Sequence, residues 1–394
     1  MTATSIDRYP NHSVARISLA LLLIVLLVSP DLALAQEPAT SCNSSGSNSG
    51  WTPFPSTSLL PNPIETLNAV VNNGYLYVVG GSEGTTGFQN TVSYVQLSTS
   101  TGLPLTAFQS TTPLPVALSR DLCGVAHNGF LYTVGGVEYS STDSNGQTVG
   151  SVQYAPFHPA TGTIGTWNPT SSLPEVVQLH GTVVLNGYMY VIGGSTYKDV
   201  SNAPSKITDA VYYAPINSDG TLGSFTQTAS LLIPLYKTCP VAIDGTIYMI
   251  GGETNAANET TPGDPAVNTV YYATPNTTGS QIGAISSWTK APYTIPLSQF
   301  NTMNPSGLAA QAVAYVNTKG IVLMGGDTTG NGGDTDVPLE GIDPSATTIT
   351  WDTLPTLPAN VSRNAGATLN HYAYSVAGLV AGSDSNGVNC LLID

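Results

Sequence analysis

The chain has 394 residues, of which only 8% are charged, and its formal net charge at pH 7 is −15. Without clustered Lys and Arg it lacks the cations that nucleic-acid phosphates require, which excludes a nucleic-acid partner. With 40 Gly, 28 Pro and 20 Tyr, the composition is typical of short strands and tight turns, not of long amphipathic helices.

The N-terminal 35 residues have the pattern of a secretory signal. Arg8 and Arg16 precede an apolar run over 17–28, and Ala33-Leu34-Ala35 ends the segment. This order predicts cleavage after Ala35. The alternative is a retained membrane anchor, although a bilayer span needs about 20 apolar residues. We expect no membrane span after cleavage, and a secreted, periplasmic or cell-surface protein.

Two further segments complete the predicted organisation. Residues 36–49, rich in Ser, Asn and Gly, are expected to form a flexible polar lead-in. Residues 50–394 are expected to form one β domain.

A nine-residue pattern recurs through that domain. It combines a turn, an alternating apolar run and two small residues: NGYLYVVGG from Asn73, NGFLYTVGG from Asn128, NGYMYVIGG from Asn186, DGTIYMIGG from Asp244, and the weaker TKGIVLMGG from Thr318 and NHYAYSVAG from Asn370. The small pairs are 55, 58, 58, 74 and 52 residues apart. Asn-Gly and Asp-Gly favour two-residue hairpins, so each copy predicts two paired strands, a and b.

Each unit then continues with two more predicted strands. Strand c recurs as TVSYVQ, SVQYAP, AVYYAP and TVYYAT, and strand d carries an aromatic residue, successively Phe108, Trp167, Phe225, Trp288 and Trp351. We expect each aromatic residue to offer an apolar surface to the next unit.

A period near 50 residues with four strands per unit resembles the kelch-repeat family. The resemblance covers nearly all of the predicted mature chain and implies an exported kelch-like β-propeller. The expected fold is all-β, with six blades of four antiparallel strands. The 74-residue interval is read as insertions around 253–268 and 276–308, not as a seventh blade.

The last unit has strands a to c but no strand d before Asp394. Residues 50–61, GWTPFPSTSLLP, have the Trp and the Leu-Pro ending of strand d. We therefore predict that the N-terminus supplies the outer strand of the last blade and closes the ring, which removes exposed sheet edges.

The four cysteines have two predicted roles. Cys42 and Cys390 flank the predicted seam, where a disulfide has an entropic effect on the order of 5 kcal/mol; the alternative is a lead-in too mobile to pair. Cys123 and Cys239 are placed on inner strands of blades 2 and 4, one blade apart. That separation predicts buried free thiols, since bonding needs Cα atoms within about 7 Å.

Function is expected on the face formed by the d-to-a links and the b-to-c loops, because long varied loops carry function more often than a scaffold does. Five of the seven basic residues of the mature chain fall on this face, including Lys198 and Lys206. The candidate ligand-binding residues around the channel mouth are Glu83, Arg120, Asp121, Glu138, His180, Lys237, Glu253, Asp327 and Arg363. Mixed charges there suit a polar ligand such as an acidic sugar; the alternative is that they simply face water.

Signals for metal or cofactor chemistry are weak, and none is predicted. The kelch resemblance extends to copper oxidases with a Tyr-His pair, but this chain has no such dipeptide. Asp327, Asp334 and Asp336 offer oxygens for Ca²⁺, without EF-hand spacing. Asn43, Asn258, Asn276 and Asn360 begin glycosylation sequons.

Three functions remain open. The first is a non-enzymatic module that binds a glycan or an extracellular protein at the channel mouth. The second is a sugar-acting enzyme, since the resemblance includes exported sialic acid epimerases with Arg and Glu at the mouth. The third is a structural envelope component.

Overall fold

The computed structural model describes residues 39–394, except 48, 85–86, 121–122, 141–142, 197–205, 255–264, 303, 317–319, 330–333 and 343–347. The predicted signal over 1–35 lies outside the described residues. Residues Thr40–Asp394 cluster as one unit. In this part of the chain no helix has the length and apolar character to cross a membrane.

Within the described residues, six antiparallel sheets of the predicted a-b-c-d order follow one another along the chain. Their strands are Asn68–Asn72, Tyr75–Val79, Val92–Gln96 and Gln109–Ser110 in blade 1; Val125–His127, Phe130–Val134, Val152–Pro156 and Asn168–Pro169 in blade 2; and Gly181–Leu185, Tyr188–Ile192, Val211–Pro215 and Thr226–Gln227 in blade 3. Blade 4 has Val241–Ile243, Thr246–Ile250, Thr269–Ala273 and Thr289–Thr294, and blade 5 has Ala312–Val316, Gly320–Met324, Leu339–Ile342 and Thr350–Thr353. Blade 6 has Ala365–Leu369, Tyr372–Val380 and Ser383–Leu392, with Thr52–Pro53 outermost.

Several strands of two to six residues and two 3-10 turns lie outside the four-stranded sheets or extend them. Blade 6 also contains Asn43–Ser44 and Val361–Ser362. The b-to-c loop of blade 1 forms Ser82–Glu83 with Gly87–Phe88, and that of blade 2 forms Val137–Ser140 with Asp143–Thr148, to which Ala117–Ser119 of the link into blade 2 is added. The 3-10 turns span Ser56–Ser58 and Leu297–Gln299. Asn43–Ser44 lies inside the stretch predicted as a flexible lead-in, and it pairs in parallel with the last strand.

The repeated Gly-Gly pair makes a backbone contact between neighbouring blades. The amide of the second glycine donates to a carbonyl in the link that leads into the next blade, as Gly252 does to Leu308 at 2.8 Å. The first glycine lies against the same carbonyl: a Cβ on Gly251 would be 2.2 Å from the Leu308 oxygen. Its φ of +67° also favours glycine. In the five Gly-Gly pairs the contact between blades leaves no room for a side chain; in blade 6 the first position is Ala377, which also has positive φ.

The strand-d tryptophans pack against the preceding blade, not the next one as predicted. Trp167 Nε1 donates to the Thr112 carbonyl of blade 1 at 3.2 Å, and Trp288 Nε1 donates to the Ala229 carbonyl of blade 3 at 3.1 Å. The apolar core consequently lies between blades, as where Trp288 is buried among residues of blades 3 and 4. At Trp167 and Trp288 the preceding blade also supplies the acceptor that a buried indole N–H needs.

A strand-b tyrosine makes the complementary contact to the following blade. The Tyr132 hydroxyl donates to the Gly220 carbonyl of blade 3 at 2.9 Å, and the Tyr190 hydroxyl donates to the Gly283 carbonyl of blade 4 at 2.7 Å. Each acceptor is a glycine of the c-to-d turn, at positive φ, against which an aromatic ring packs. This contact explains the aromatic residues of the repeat.

The predicted closure of the ring is confirmed. Thr52 pairs with Cys390, which places the N-terminal segment on the outer edge of blade 6. Trp51 Nε1 donates to the Pro355 carbonyl of blade 5 at 2.9 Å, as Trp167 and Trp288 do to their preceding blades. The Tyr374 hydroxyl donates to the Gly102 carbonyl of blade 1 at 2.9 Å. The same two contacts that join other blades therefore join the last blade to its neighbours.

Both cysteine pairs form disulfides. The predicted Cys42–Cys390 bridge is present, with Cα atoms 5.6 Å apart. The prediction of free thiols at Cys123 and Cys239 is wrong, because these residues are also bonded, again with Cα atoms 5.6 Å apart. They do not lie on the inner strands. Strand a is only three residues long in blades 2 and 4, and each cysteine lies before it, in the link that leads into the blade.

We expect Gly251→Ala to destabilise the fold far more than Gly187→Ala. Both glycines have positive φ, but a Cβ on Gly187 meets nothing within 4 Å, whereas one on Gly251 meets backbone. Gly187→Ala should cost about 1–2 kcal/mol for the left-handed conformation. Gly251→Ala should cost about 4 kcal/mol or more. Urea unfolding of both variants measures the difference, and equal losses would contradict the role assigned to the first glycine.

Candidate functional site

Six residues at equivalent positions surround the channel mouth, one in each link that leads into strand a. All six have left-handed backbone, although none is glycine: Thr66 (φ 49°), Arg120 (63°), Leu179 (53°), Lys237 (56°), Ala310 (51°) and Arg363 (56°). We call these six residues the mouth ring. Each carries a conformational cost that glycine would avoid, of order 1–2 kcal/mol.

Backbone hydrogen bonds close the mouth ring. Each amide donates to the carbonyl of the ring residue in the preceding blade, and the first, Thr66, donates to the last, Arg363. The six N···O distances, in the order Thr66, Arg120, Leu179, Lys237, Ala310, Arg363 as donors, are 3.0, 3.1, 2.8, 2.9, 2.7 and 2.7 Å. Each ring amide already donates to a ring carbonyl. The groups that bind a ligand at the mouth must therefore be side chains.

Three of the six ring residues are cations, and they occupy alternate blades. Arg120, Lys237 and Arg363 come from blades 2, 4 and 6, while smaller or apolar residues come from blades 1, 3 and 5. A cavity of about 210 Å³ opens here; its lining is Glu65, Thr66, Ser82, Arg120, Leu179, Lys237, Ala310 and Arg363. The chain has a net charge of −15, yet three of its few cations line this one cavity.

Arg363 is held by one end of its guanidinium. Its Nη1 lies 2.9 and 3.1 Å from the two carboxylate oxygens of Glu65. The Arg363 side chain is 46% exposed. Among the described residues, its side-chain hydrogen bonds use Nη1 alone; Nε and Nη2 are further donors of the same guanidinium.

Lys237 forms a more buried pair. Its Nζ lies 2.7 Å from Glu253 Oε2, and the Glu253 side chain is 1% exposed, against 26% for Lys237. Burial raises the pKa of the Glu253 carboxyl, and the nearby charge of Lys237 opposes that shift. The Lys237 ammonium also lies 4.9 Å from the centre of the Tyr236 ring. The pair therefore places the Lys237 ammonium next to a buried carboxyl whose pKa is raised.

The third cation contacts an amide. Arg120 Nη1 donates to Gln178 Oε1 of the neighbouring link at 3.0 Å. Its sequence neighbour Asp121, also a predicted site residue, lies outside the described residues.

The predicted acids divide into two groups. Glu253 and Asp327 directly follow their Gly-Gly pairs, and each exchanges two backbone hydrogen bonds with the residue preceding a ring residue, Tyr236 and Ala309. Glu83 and Glu138 lie one position later, and in extended chain one position reverses the side chain. None of these four acids lines the cavity; Glu65 is the carboxylate that does.

The two later acids have local partners instead. Glu138 Oε1 accepts a hydrogen bond from Ser151 at 2.7 Å, and Glu83 Oε2 accepts one from Gln89 at 3.3 Å. Their placement differs from the prediction of acids at similar heights around the mouth. The prediction treated acids one and two positions after the glycine pair as equivalent. Side chains at successive positions of extended chain point in opposite directions.

The proposed calcium ligands are engaged in their own loop. Asp327 Oδ1 accepts hydrogen bonds from the Thr329 amide and hydroxyl at 2.9 and 3.1 Å. Burial raises the pKa of Asp334, and the proximity of Asp327 raises it further. Among the described residues, no group of three or more His, Cys, Asp or Glu side chains is arranged to hold a metal ion.

His180 lies in the core beneath the mouth. It is fully buried, packed near Gly135 and Gly194, and does not line the cavity. Burial lowers its pKa to about 4, while the Val134 backbone opposes the shift. His180 is buried because it lies between the ring residue Leu179 and Gly181, where strand a of blade 3 begins.

The cavity includes residues that the sequence prediction did not select. Thr66, Leu179 and Ala310 are ring residues, and Ser82 faces the same cavity. Aligning the six links on their distance before the glycine pair would have found them, because the ring residue precedes the first small residue by 14 or 15 positions in every blade.

We expect His180 to destabilise the protein in acid. Its folded pKa lies below the ordinary value of 6.5, so below pH 6.5 the unfolded chain binds a proton that the folded chain does not. Stability is therefore lost as the pH falls from 6.5 towards 4, by about 2–3 kcal/mol between pH 7 and 4.5. Urea unfolding at both pH values should show a smaller loss for His180→Asn than for the native chain. Equal losses would refute the assignment.

Comparisons with known proteins agree with this architecture. No family model matches the chain. A 90-residue stretch, 22% of the chain, is 26% identical to the Kelch repeat and BTB domain-containing protein 12 of Danio rerio and spans only 14% of that protein. Among solved structures, that of YjhT superposes with a TM-score of 0.60 at 15% identity, covering 84% of this chain and 94% of YjhT.

At that identity the structural likeness concerns the fold. The YjhT superposition, the repeated four-stranded sheets and the similarity to a kelch protein agree with one another. The chain has the fold of a kelch-type β-propeller.

Proposed function

We propose that this protein is an exported binding module that takes an acidic sugar, free or within a glycan, at its channel mouth. The observation that carries the proposal is the placement of Arg120, Lys237 and Arg363 at equivalent ring positions around one cavity. Strained non-glycine backbone is a frequent feature of ligand clamps, and here it holds three of the chain's few cations.

The cations suit a carboxylate. Arginine presents a planar fork of N–H donors that matches two carboxylate oxygens, and lysine adds a point charge. Arg363 uses one terminal nitrogen for Glu65, which leaves its other donors for a ligand. Lys237 has three donors, of which one contacts Glu253.

Hydroxyl groups beside the cations suit the rest of a sugar. Thr66 Oγ1 lies 3.1 Å from Ser82 Oγ and 2.7 Å from Ser119 Oγ, in a chain of side-chain hydroxyls. Thr66 and Ser82 line the cavity, and their hydroxyls can donate to or accept from sugar hydroxyls, whereas Ser119 is buried behind them. The cavity combines charge with adaptable polar groups, as small-ligand sites do.

Export is part of the same proposal. Two disulfides are typical of proteins that mature in an oxidising compartment. Together with the signal-like N-terminus, they support a secreted, periplasmic or cell-surface location.

We expect the double substitution Arg120→Ala with Arg363→Ala to weaken binding of N-acetylneuraminate or D-glucuronate by more than about 100-fold. Each lost charge-assisted hydrogen bond is worth about 1.5–3 kcal/mol, and about 1.4 kcal/mol is tenfold in affinity. Isothermal titration calorimetry at low salt measures the loss.

Two controls accompany this titration. Lys290→Ala removes an exposed cation from strand d of blade 4 and should leave affinity unchanged. The methyl ester of each sugar lacks the charge and should bind weakly to the native protein. Binding that survives the double substitution would place the site elsewhere, whereas absence of binding by the native protein would overturn the ligand class.

A second candidate function, a sugar-acting enzyme, is favoured by the Lys237–Glu253 pair. A buried carboxyl of raised pKa beside a lysine is a suitable proton donor or acceptor. Lys237 lines the cavity and its Nζ contacts Glu253, so the pair adjoins the proposed sugar site.

If the protein catalyses proton transfer, it should accelerate interconversion of N-acetylneuraminate anomers or the C2 epimerisation of N-acetylmannosamine. Proton NMR of a sugar enriched in one form follows the approach to equilibrium. Glu253→Gln should slow an enzymatic rate by about 100-fold or more. A rate equal to that of buffer for both sugars would exclude this function and leave the binding module.

A further inference from the structure

The Cys123–Cys239 disulfide lies close to the mouth ring in sequence and in space. Cys123 follows the ring residue Arg120 by three positions, and Cys239 follows Lys237 by two. The bond therefore joins the two links that carry these cations, in blades 2 and 4.

The link of blade 3 is enclosed between the ring and the disulfide. The Leu179 amide donates to the Arg120 carbonyl at 2.8 Å, and the Lys237 amide donates to the Leu179 carbonyl at 2.9 Å. Cys123 Sγ lies 3.4 Å from the His180 carbonyl oxygen. Blades 2 and 4 are therefore connected twice across Leu179 and His180 of the blade 3 link, once by the ring hydrogen bonds and once by the disulfide.

The same two links are those with the shortest strands a. Strand a has three residues in blades 2 and 4, but five in blades 1, 3, 5 and 6. Pro240 has no amide hydrogen with which to extend the ladder of blade 4. A Cβ on Gly181 would lie 2.6 Å from Pro240 Cδ, so the link of blade 4 also packs tightly against blade 3. The disulfide is thus found where strand a of blades 2 and 4 has the fewest residues.

We propose that the Cys123–Cys239 disulfide is a positioning element of the ligand site, which fixes the spacing of Arg120 and Lys237 so that both meet one anionic ligand. The inference rests on the proposed function of the mouth. Arg363, on blade 6, is not joined by this bond and keeps its position through Glu65. Preorganising charged side chains raises affinity because less motion is lost when the ligand binds.

The chain contains a matched control in its other disulfide. Cys42–Cys390 joins the N-terminal segment to the outer edge of blade 6, through strand c, and neither cysteine lies in a link that carries a ring residue. Its removal should lower the urea midpoint of unfolding but leave ligand affinity unchanged.

The test compares the pair Cys123→Ser/Cys239→Ser with the pair Cys42→Ser/Cys390→Ser, each titrated calorimetrically with N-acetylneuraminate. Loss of the first disulfide should weaken binding about tenfold or more, and loss of the second by less than about twofold. Near-UV circular dichroism checks that both pairs are folded. If the first serine pair is not native, the corresponding alanine pair, which buries no hydroxyl, takes its place.

A double-mutant cycle separates positioning from general weakening. Arg120→Ala and Arg363→Ala are each introduced with the Cys123–Cys239 bond present and absent. If the bond positions Arg120, that substitution should cost about tenfold less affinity in its absence, while Arg363→Ala should cost nearly the same in both. Equal coupling to both arginines, or unchanged affinity without the bond, would overturn the inference. Failure of the native protein to bind would overturn the proposed function instead.

Discussion

The contact between neighbouring blades through their backbones is the constraint on which the rest of the molecule depends. A carbonyl of each link approaches a Gly-Gly pair so closely that a Cβ would overlap it, as at Gly251 and Leu308. Such an interface tolerates variation in loops and outer strands far more readily than at these positions, where five copies have Gly-Gly and the sixth has Ala377-Gly378. One chain therefore repeats the same nine residues, since each copy must present the same groove to the link that follows.

The same constraint determines where ligand chemistry can occur. The links that dock on the glycines continue into the mouth ring, whose amides and carbonyls bond one another in a closed circle. Positions with uniform backbone can accept different side chains, and Arg120, Lys237 and Arg363 occupy three of them. The scaffold thus separates two tasks: backbone holds the blades together, and side chains at one rim give the cavity its charge.

Much of the fold follows from the sequence, because its determinants are local. Glycine pairs, Asn-Gly turns and the aromatic residue of strand d can be read without three-dimensional information, and the likeness of the segment at Trp51 to a strand d indicated ring closure. The direction of the Trp288 contact could not be read, because it depends on which neighbour offers a free carbonyl.

The candidate site was less predictable, for physical reasons that differ between residues. Arg120, Lys237 and Arg363 were found because scarce cations shared a position in the links. Glu83 and Glu138 were grouped with Glu253 through spacing alone, yet one step along extended chain reverses a side chain. The Cys123–Cys239 bond was missed because the expected distance assumed regular strands, whereas both cysteines lie where the ladder has already ended.

Closure through the N-terminal strand also bears on how the molecule is made. Thr52 pairs with Cys390, so the partner of one of the first strands is synthesised among the last residues of the domain. Until then, the outer edge of blade 6 does not exist and the N-terminal segment has nothing to join. Pairing over so large a sequence separation is slow compared with local hairpins. The first five blades can form while the chain emerges, but circular continuity, and with it a complete mouth, arises only once the last strand of blade 6 has been synthesised.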